Sequence, residues 1–245
     1  MTDIQKNQWI AAAAEDPEAV FSDGAAGMEL ISYGHEADEK REAMQGAVMK
    51  DMAGAGLVFV SGEPGLKLLR RLLASDAEKF SSGQAFRSVL LNASGGVMLE
   101  VHVLALPGNA WRLVLPPSGA DAGLAWMRQV AIAFEAHVQA MASGHAFWLA
   151  GPRAAEVLEK AGVPAPRDGA FKEIAVREGD AFLSVAAFSG LYLIAGDAES
   201  ASEFWNLLKA SGARPAGEHA FEVVRALHCL PAPGAEYDEM SSPLE

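Results

Sequence analysis

An apolar run closed by a small residue, then glycine with proline close behind, then an amphipathic stretch, leaves a chain few options: a strand has to turn directly into a helix. The pattern occurs at residues 57–73, LVFVSGEPGLKLLRRLL, and again at residues 145–162, HAFWLAGPRAAEVLEKAG. Glycine reaches backbone angles closed to other residues, and proline is tolerated in the first helical turn, where its missing N–H would be unpaired anyway. Two copies of one local grammar predict two similar α+β units.

The segments around these copies extend both units. Asn92-Ala-Ser-Gly95-Gly96 reads as a hairpin turn between strands at 84–91 and 97–104, because adjacent glycines supply the positive φ of tight hairpins. Alternation on the returning strand places Met98, Glu100 and His102 on one face and Val97, Leu99, Val101 and Val103 on the other. A third strand at 111–115 ends at Pro116-Pro117, and apolar residues at helical spacing predict a helix over 121–134. In the second unit, strands are expected at 171–176, 181–188 and 191–195. Asp197 caps a helix over 198–210, and a last helix covers 218–229. The expected organisation is a peripheral arm at 1–20, with a short helix around 9–14, a first unit at 21–137, a second at 138–230 and an extended polar tail at 231–245.

Composition excludes several functions. No apolar run reaches the roughly 18 residues of a membrane span. The first twenty residues, with Asp3, Glu15, Asp16 and Glu18, lack the basic-then-apolar order of a signal peptide, so a cytoplasmic protein is expected. The single cysteine, Cys229, provides neither an internal disulfide framework nor a cluster of cysteine ligands. The six histidines form no His-x-x-x-His pair, and no metal is expected. A net charge of −13 opposes unaided binding to nucleic acid or to an anionic membrane. Gly62-Glu-Pro-Gly65 lacks the Lys-Ser/Thr of a phosphate loop, which discards nucleotide binding.

Several pieces, in this order, resemble the aminomethyltransferase (T-protein) of the glycine cleavage system and its folate-binding relatives. They are Met28-Glu29 with Tyr33, the unit 58–73 with Ala74-Ser75-Asp76, the hairpin 91–97, and residues 149–158. Phe188-Ser189-Gly190 is similar to a reduced form of the family's Tyr-Thr-Gly segment. Residues 214–225 resemble its Pro-x-Gly-containing helix, and Pro243-Leu244-Glu245 its Pro-Leu-Glu. The resemblance implies two related antiparallel-sheet-plus-helix units around a central hole that holds tetrahydrofolate. It also implies tetrahydrofolate-dependent methyl or aminomethyl transfer.

Carried over residue by residue, the resemblance makes Glu100 the catalytic carboxylate at the pterin. Arg225, Met28, Tyr33, Arg87 and Phe188 become ligand contacts. The readings from residue chemistry alone stay open beside it. Glu100 is otherwise a solvent-facing glutamate, Arg225 a structural ion pair with Glu222 or Glu218, Arg87 a surface charge, and Met28 and Tyr33 core.

The departures from the family concern function. Where the transferases carry two acids after the hairpin, this chain has Leu99 and Glu100; Arg87 replaces a tyrosine and Pro116 an asparagine. No acid follows Gly190, no Lys-Gly-Cys motif is present, and the sequence stops where the family adds a barrel domain. Two other functions are therefore expected as alternatives. One is a non-catalytic ligand-binding or assembly subunit completed by a partner chain or a second copy. The other is a diverged enzyme whose former folate hole takes another small molecule.

Overall fold

The computed structural model describes residues 17–24, 27–176, 182–231, 237 and 240–242. The helix expected around 9–14 lies outside the described residues. In chain order come β1 (Val20–Gly24), β2 (Gly27–Ser32), α1 (Glu36–Gln45) and β3 (Val48–Asp51). The first strand-to-helix copy folds as β4 (Gly56–Ser61) and α2 (Gly62–Leu72), followed by β5 (Ala85–Leu91), β6 (Val97–Leu106), β7 (Ala110–Leu115) and α3 (Ala120–Ala131). After β8 (Val138–Ala140), the second copy folds as β9 (Gly144–Ala150) and α4 (Ala154–Lys160). It continues through β10 (Phe171–Ile174), β11 (Leu183–Phe188), β12 (Leu191–Asp197) and α5 (Ala198–Ala210). A short β13 (Arg214–Pro215) and α6 (Glu218–Leu227) complete the described elements.

The two repeats share one topology: strand, helix, three-strand meander, helix. Their sheets run β5-β6-β7-β4-β8 and β10-β11-β12-β9-β3-β13, so in each the first strand of the repeat lies beyond the third strand of the meander. The outer neighbours are exchanged. β3, which precedes the first repeat, pairs antiparallel with β9 of the second. β8, which precedes the second repeat, pairs antiparallel with β4 of the first.

Three apolar layers follow from this arrangement. Val58, Val60, Leu99, Val101, Val103 and Leu113 face Leu68, Leu69 and Leu72 of α2 and Met127 of α3. Phe147, Leu149, Val185 and Ile194 face Val157 and Leu158 of α4 and Phe204 and Leu208 of α5. Between the sheets lie Leu57, Leu104 and Val114 from one side and Trp148, Phe188 and Leu193 from the other, flanked by Ala43 of α1 and Phe221 and Val224 of α6. Both sheets are thus covered on both faces, which is why β7, β11 and β12 are almost uninterrupted apolar runs where a one-sided sheet would alternate. Each such leucine or phenylalanine contributes roughly 1.5–3 kcal/mol by leaving water.

Local chemistry sets the joints. Asp197 accepts from the Ser200 N–H at 2.9 Å and starts α5 as its sequence position predicts. Glu39 of α1, 1% exposed, accepts from the Ser32 hydroxyl (2.8 Å), the Tyr33 N–H (2.8 Å) and the Gly217 N–H (2.9 Å). It ties the end of β2 and the start of α6 to α1.

Gly151 turns β9 toward α4 with φ +107°, and a Cβ there would lie 2.5 Å from the Gly46 carbonyl oxygen. That oxygen accepts from the Arg153 N–H at 3.0 Å, so the approach is part of the joint. Gly151→Ala is expected to cost about 1–3 kcal/mol from backbone strain alone. A lowered urea midpoint at unchanged slope reads this cost. An unchanged midpoint would mean that the joint relaxes freely.

Candidate functional site

The hairpin between β5 and β6 fixes the geometry of the central polar cluster. Asn92 Oδ1 accepts from the Ser94 and Gly96 N–H groups, both at 2.9 Å, and Gly95 has φ +86°. Beyond a register shift between Leu90 and Leu91, the pairing sets Val89 opposite Glu100 and Arg87 opposite His102. Arg87 therefore reaches Glu100 along the diagonal, within the range of a long side chain. Its Nε donates to Oε1 at 2.9 Å and its Nη2 to Oε2 at 2.8 Å, a bidentate ion pair.

His102 sits on the same face of β6 as Glu100, its Nε2 3.4 Å from Glu100 Oε1. Its buried ring meets Trp148 of β9 and Phe188 of β11 edge to face, with centroids 5.0 and 4.8 Å away. Burial, with the Arg87 charge adding to it, lowers the His102 pKa to about 3, so the imidazole is neutral. The Glu100 contact does not reverse this, because Arg87 already offsets that carboxylate. His102 Nδ1 is buried and has no hydrogen-bond partner among the described residues. From the C-terminal segment the Tyr237 hydroxyl accepts from the Glu100 N–H at 3.3 Å, and Ser241 O accepts from the Val97 N–H at 3.1 Å. Burial pushes the Tyr237 phenol above its ordinary range.

A second polar group lies beyond Trp148, whose ring stacks on Phe221 at 6.4 Å. The Lys50 ammonium lies 5.0 Å above Phe221 and pairs with Glu218. Burial, then the Glu218 charge, raises the pKa of nearby Glu29, against a lowering by Lys50.

The structure thus brings Glu100, Arg87 and Phe188 together, the last through His102. The other residues singled out in the sequence stand on or beside other elements. Met28 is on β2, 39% exposed. Tyr33 follows β2 beside Glu39, and burial with the Asp51 and Glu39 charges raises its pKa. Arg225 on α6 donates to Glu222 through Nε and Nη2 and to the Leu230 carbonyl through Nη1, the ion-pair alternative that its sequence position allowed. Sequence reasoning missed Trp148 and Tyr237 and named His102 only as a neighbour. Alternation had already put His102 on the face of Glu100, and that signal was available.

Chemically, the cluster is an acceptor braced by a guanidinium, beside an imidazole that two aromatic rings meet edge to face and whose Nδ1 is unpaired among the described residues. A neutral imidazole of such low basicity is a poor proton acceptor near neutral pH. Among the described residues no three or more His, Cys, Asp or Glu side chains gather as a metal site. No helix among them is long and apolar enough to cross a membrane.

Two repeats of this topology with an acid on the inner face of the second meander strand define a class of fold that comparison identifies. The chain matches the GCVT N-terminal domain family over residues 14–245 and belongs to it. Among solved structures, it is similar to the glycine cleavage system aminomethyltransferase T from Bartonella henselae, with TM-score 0.82 and 23% identity. That match covers 96% of this chain and 65% of the other, so this chain spans about two thirds of its relative's length. A weaker likeness, TM-score 0.48 and 16% identity, is to the heterotetrameric sarcosine oxidase from Corynebacterium sp. U-96, covering 73% of this chain and 91% of that one.

Proposed function

We propose that this chain binds a reduced folate of the tetrahydrofolate type at the Glu100 cluster. In this reading it serves methyl or aminomethyl transfer by holding the carrier, without acid–base catalysis of its own. The observation that carries the reading is the Glu100–Arg87 pair beside His102, whose ring meets Trp148 and Phe188 and whose buried Nδ1 lacks a partner among the described residues. Membership of the GCVT family supports it.

The residues fit a pterin. A carboxylate offers about four lone-pair sites, and Arg87 takes two of them, which leaves acceptors for ring N–H donors. His102 Nδ1 offers a further polar contact, and Arg87 keeps Glu100 in place. Bound here, tetrahydrofolate would supply the nitrogen that carries the one-carbon unit. The chain's own contribution is orientation, which can account for much of such a rate.

Among the described residues the cluster offers no competent base, which favours the holding role. His102 is too weakly basic, and Glu100 is held in a bidentate pair with Arg87 that leaves its remaining lone pairs for a ligand's donors. In this reading a cytoplasmic partner chain, or a second copy, supplies the proton-handling group.

Anaerobic calorimetric titration with tetrahydrofolate tests the proposal. Saturable binding is expected, weakened about tenfold in Glu100→Gln, the loss of one hydrogen bond to a charged acceptor. The isolated chain is expected to give no turnover with methyl or aminomethyl donors. Absence of binding at millimolar ligand would end the folate reading, unchanged affinity in Glu100→Gln would remove that residue from the site, and turnover by the chain alone would overturn the holding role.

A further inference from the structure

We infer that a cleft where β4, β8 and Phe182 meet is a second binding site, made for a small carboxylate with an aromatic or branched apolar body. The cleft encloses about 290 Å³, near the lower bound of small-molecule sites. Leu57, Phe59, Met141 and Phe182 supply apolar walls, and Gln139 and Arg112 the polar groups.

Arg112 gives the site its specificity. It comes from β7, is 8% exposed, and its guanidinium lies 3.7 Å from the centre of the Phe182 ring. Only Nη1 is engaged, donating to Glu173 Oε1 at 2.7 Å and to the Ser184 hydroxyl. Nothing among the described residues accepts from Nε or Nη2. These two nitrogens form the parallel donor edge that matches a carboxylate, and a purely structural pair would present that edge to Glu173. Although the residue is only 8% exposed, these two nitrogens stay within reach of solvent, and a carboxylate entering the cleft would take the place of water on them. Glu173, with a side chain 47% exposed, is screened by water and leaves the guanidinium attractive to an anion.

The site is separate from the Glu100 cluster. Arg112 stands opposite Leu104 on β6, four residues from Glu100 and so about 13 Å along the strand. Its ligand needs no pterin donors, only a flat or branched apolar group of modest size and two carboxylate oxygens.

Calorimetric titration of the full chain with sodium benzoate, and with benzyl alcohol as the uncharged probe, tests the inference. Saturable benzoate binding is expected, at least tenfold weaker in Arg112→Met, which keeps the stem and removes the fork; benzyl alcohol should show no such difference. Arg112→Met leaves Glu173 unpaired, so Gln139→Trp, on the exposed edge strand, provides an independent variant that fills the cleft and should abolish benzoate binding. Failure of the wild-type chain to bind benzoate, or unchanged affinity in both variants, overturns the inference. Tetrahydrofolate titrated into benzoate-saturated protein should behave as it does without benzoate. Competition between the two would move the carboxylate to the Glu100 cluster and equally overturn the inference.

Discussion

Glu39→Ala is expected to destabilise the protein by about 3–5 kcal/mol, a large part of the roughly 5–15 kcal/mol that holds an ordinary domain folded. The carboxylate is 1% exposed and accepts from three donors, two of them backbone N–H groups that have no means of turning away. With the side chain gone, the Tyr33 and Gly217 N–H groups stay buried without acceptors, and that penalty exceeds the net value of the bonds themselves. Relief by movement is restricted, because a Cβ on Gly217 would already lie 2.2 Å from the Ile31 carbonyl oxygen; the two segments are in close backbone contact. Glu39→Gln should lose roughly half as much, since its amide oxygen still accepts while its NH₂ faces a donor. Urea denaturation at neutral pH measures both variants. A loss below about 1 kcal/mol for the alanine variant would show that water or a shifted backbone replaces the carboxylate.

Acid should destabilise the wild-type chain through His102, and His102→Phe should remove that part of the pH dependence. In the folded protein the imidazole pKa is lowered from 6.5 to about 3 by burial and by Arg87, whereas the unfolded chain titrates near the ordinary value. Between these two pKa values the unfolded state carries the extra proton, so stability falls as pH falls, by about 1.4 kcal/mol per pH unit. The contribution is fully present above about pH 6.5 and is lost progressively toward pH 3. Phenylalanine keeps the edge-to-face contacts with Trp148 and Phe188 and cannot titrate. The difference in unfolding free energy between the variant and the wild type should therefore change by about 2–3 kcal/mol between pH 6.5 and pH 4.5. Parallel stability curves for the two proteins would show that the ring is reached by water or shared with an acid when charged.

The repeat was legible because its signals are local: small residue, glycine and proline at a strand-to-helix joint act within a few residues of themselves. β3 and β8 were not legible. They have four and three residues, and their partners come from the opposite repeat, so pattern within the segment carries almost none of the pairing information. The candidate site divides along the same line. Alternation identified the face that Glu100 and His102 share, and the resemblance named Glu100, Arg87 and Phe188. The ion pair between Arg87 and Glu100 depends on register past the shift at Leu90 and Leu91, which composition does not encode. Tyr237 reaches Glu100 across 137 residues, and Trp148 reads as one more apolar residue of a buried strand. Arg112 likewise reads as a polar interruption of β7, and its free edge emerges only when Phe182 and Glu173 are in place.

The exchange of outer strands bears on how the molecule can come apart. A pair of repeats placed side by side can loosen one at a time, each holding its own sheet. Here β3 is covalently continuous with the first repeat and hydrogen-bonded to the second, and β8 is the reverse. Opening either sheet at that pairing withdraws a strand on the chain of the other, so the free energies of the two halves are coupled. Damage on one side should be transmitted as lost stability of the whole, and the two repeats are expected to melt as one cooperative unit, read as a single transition by calorimetry.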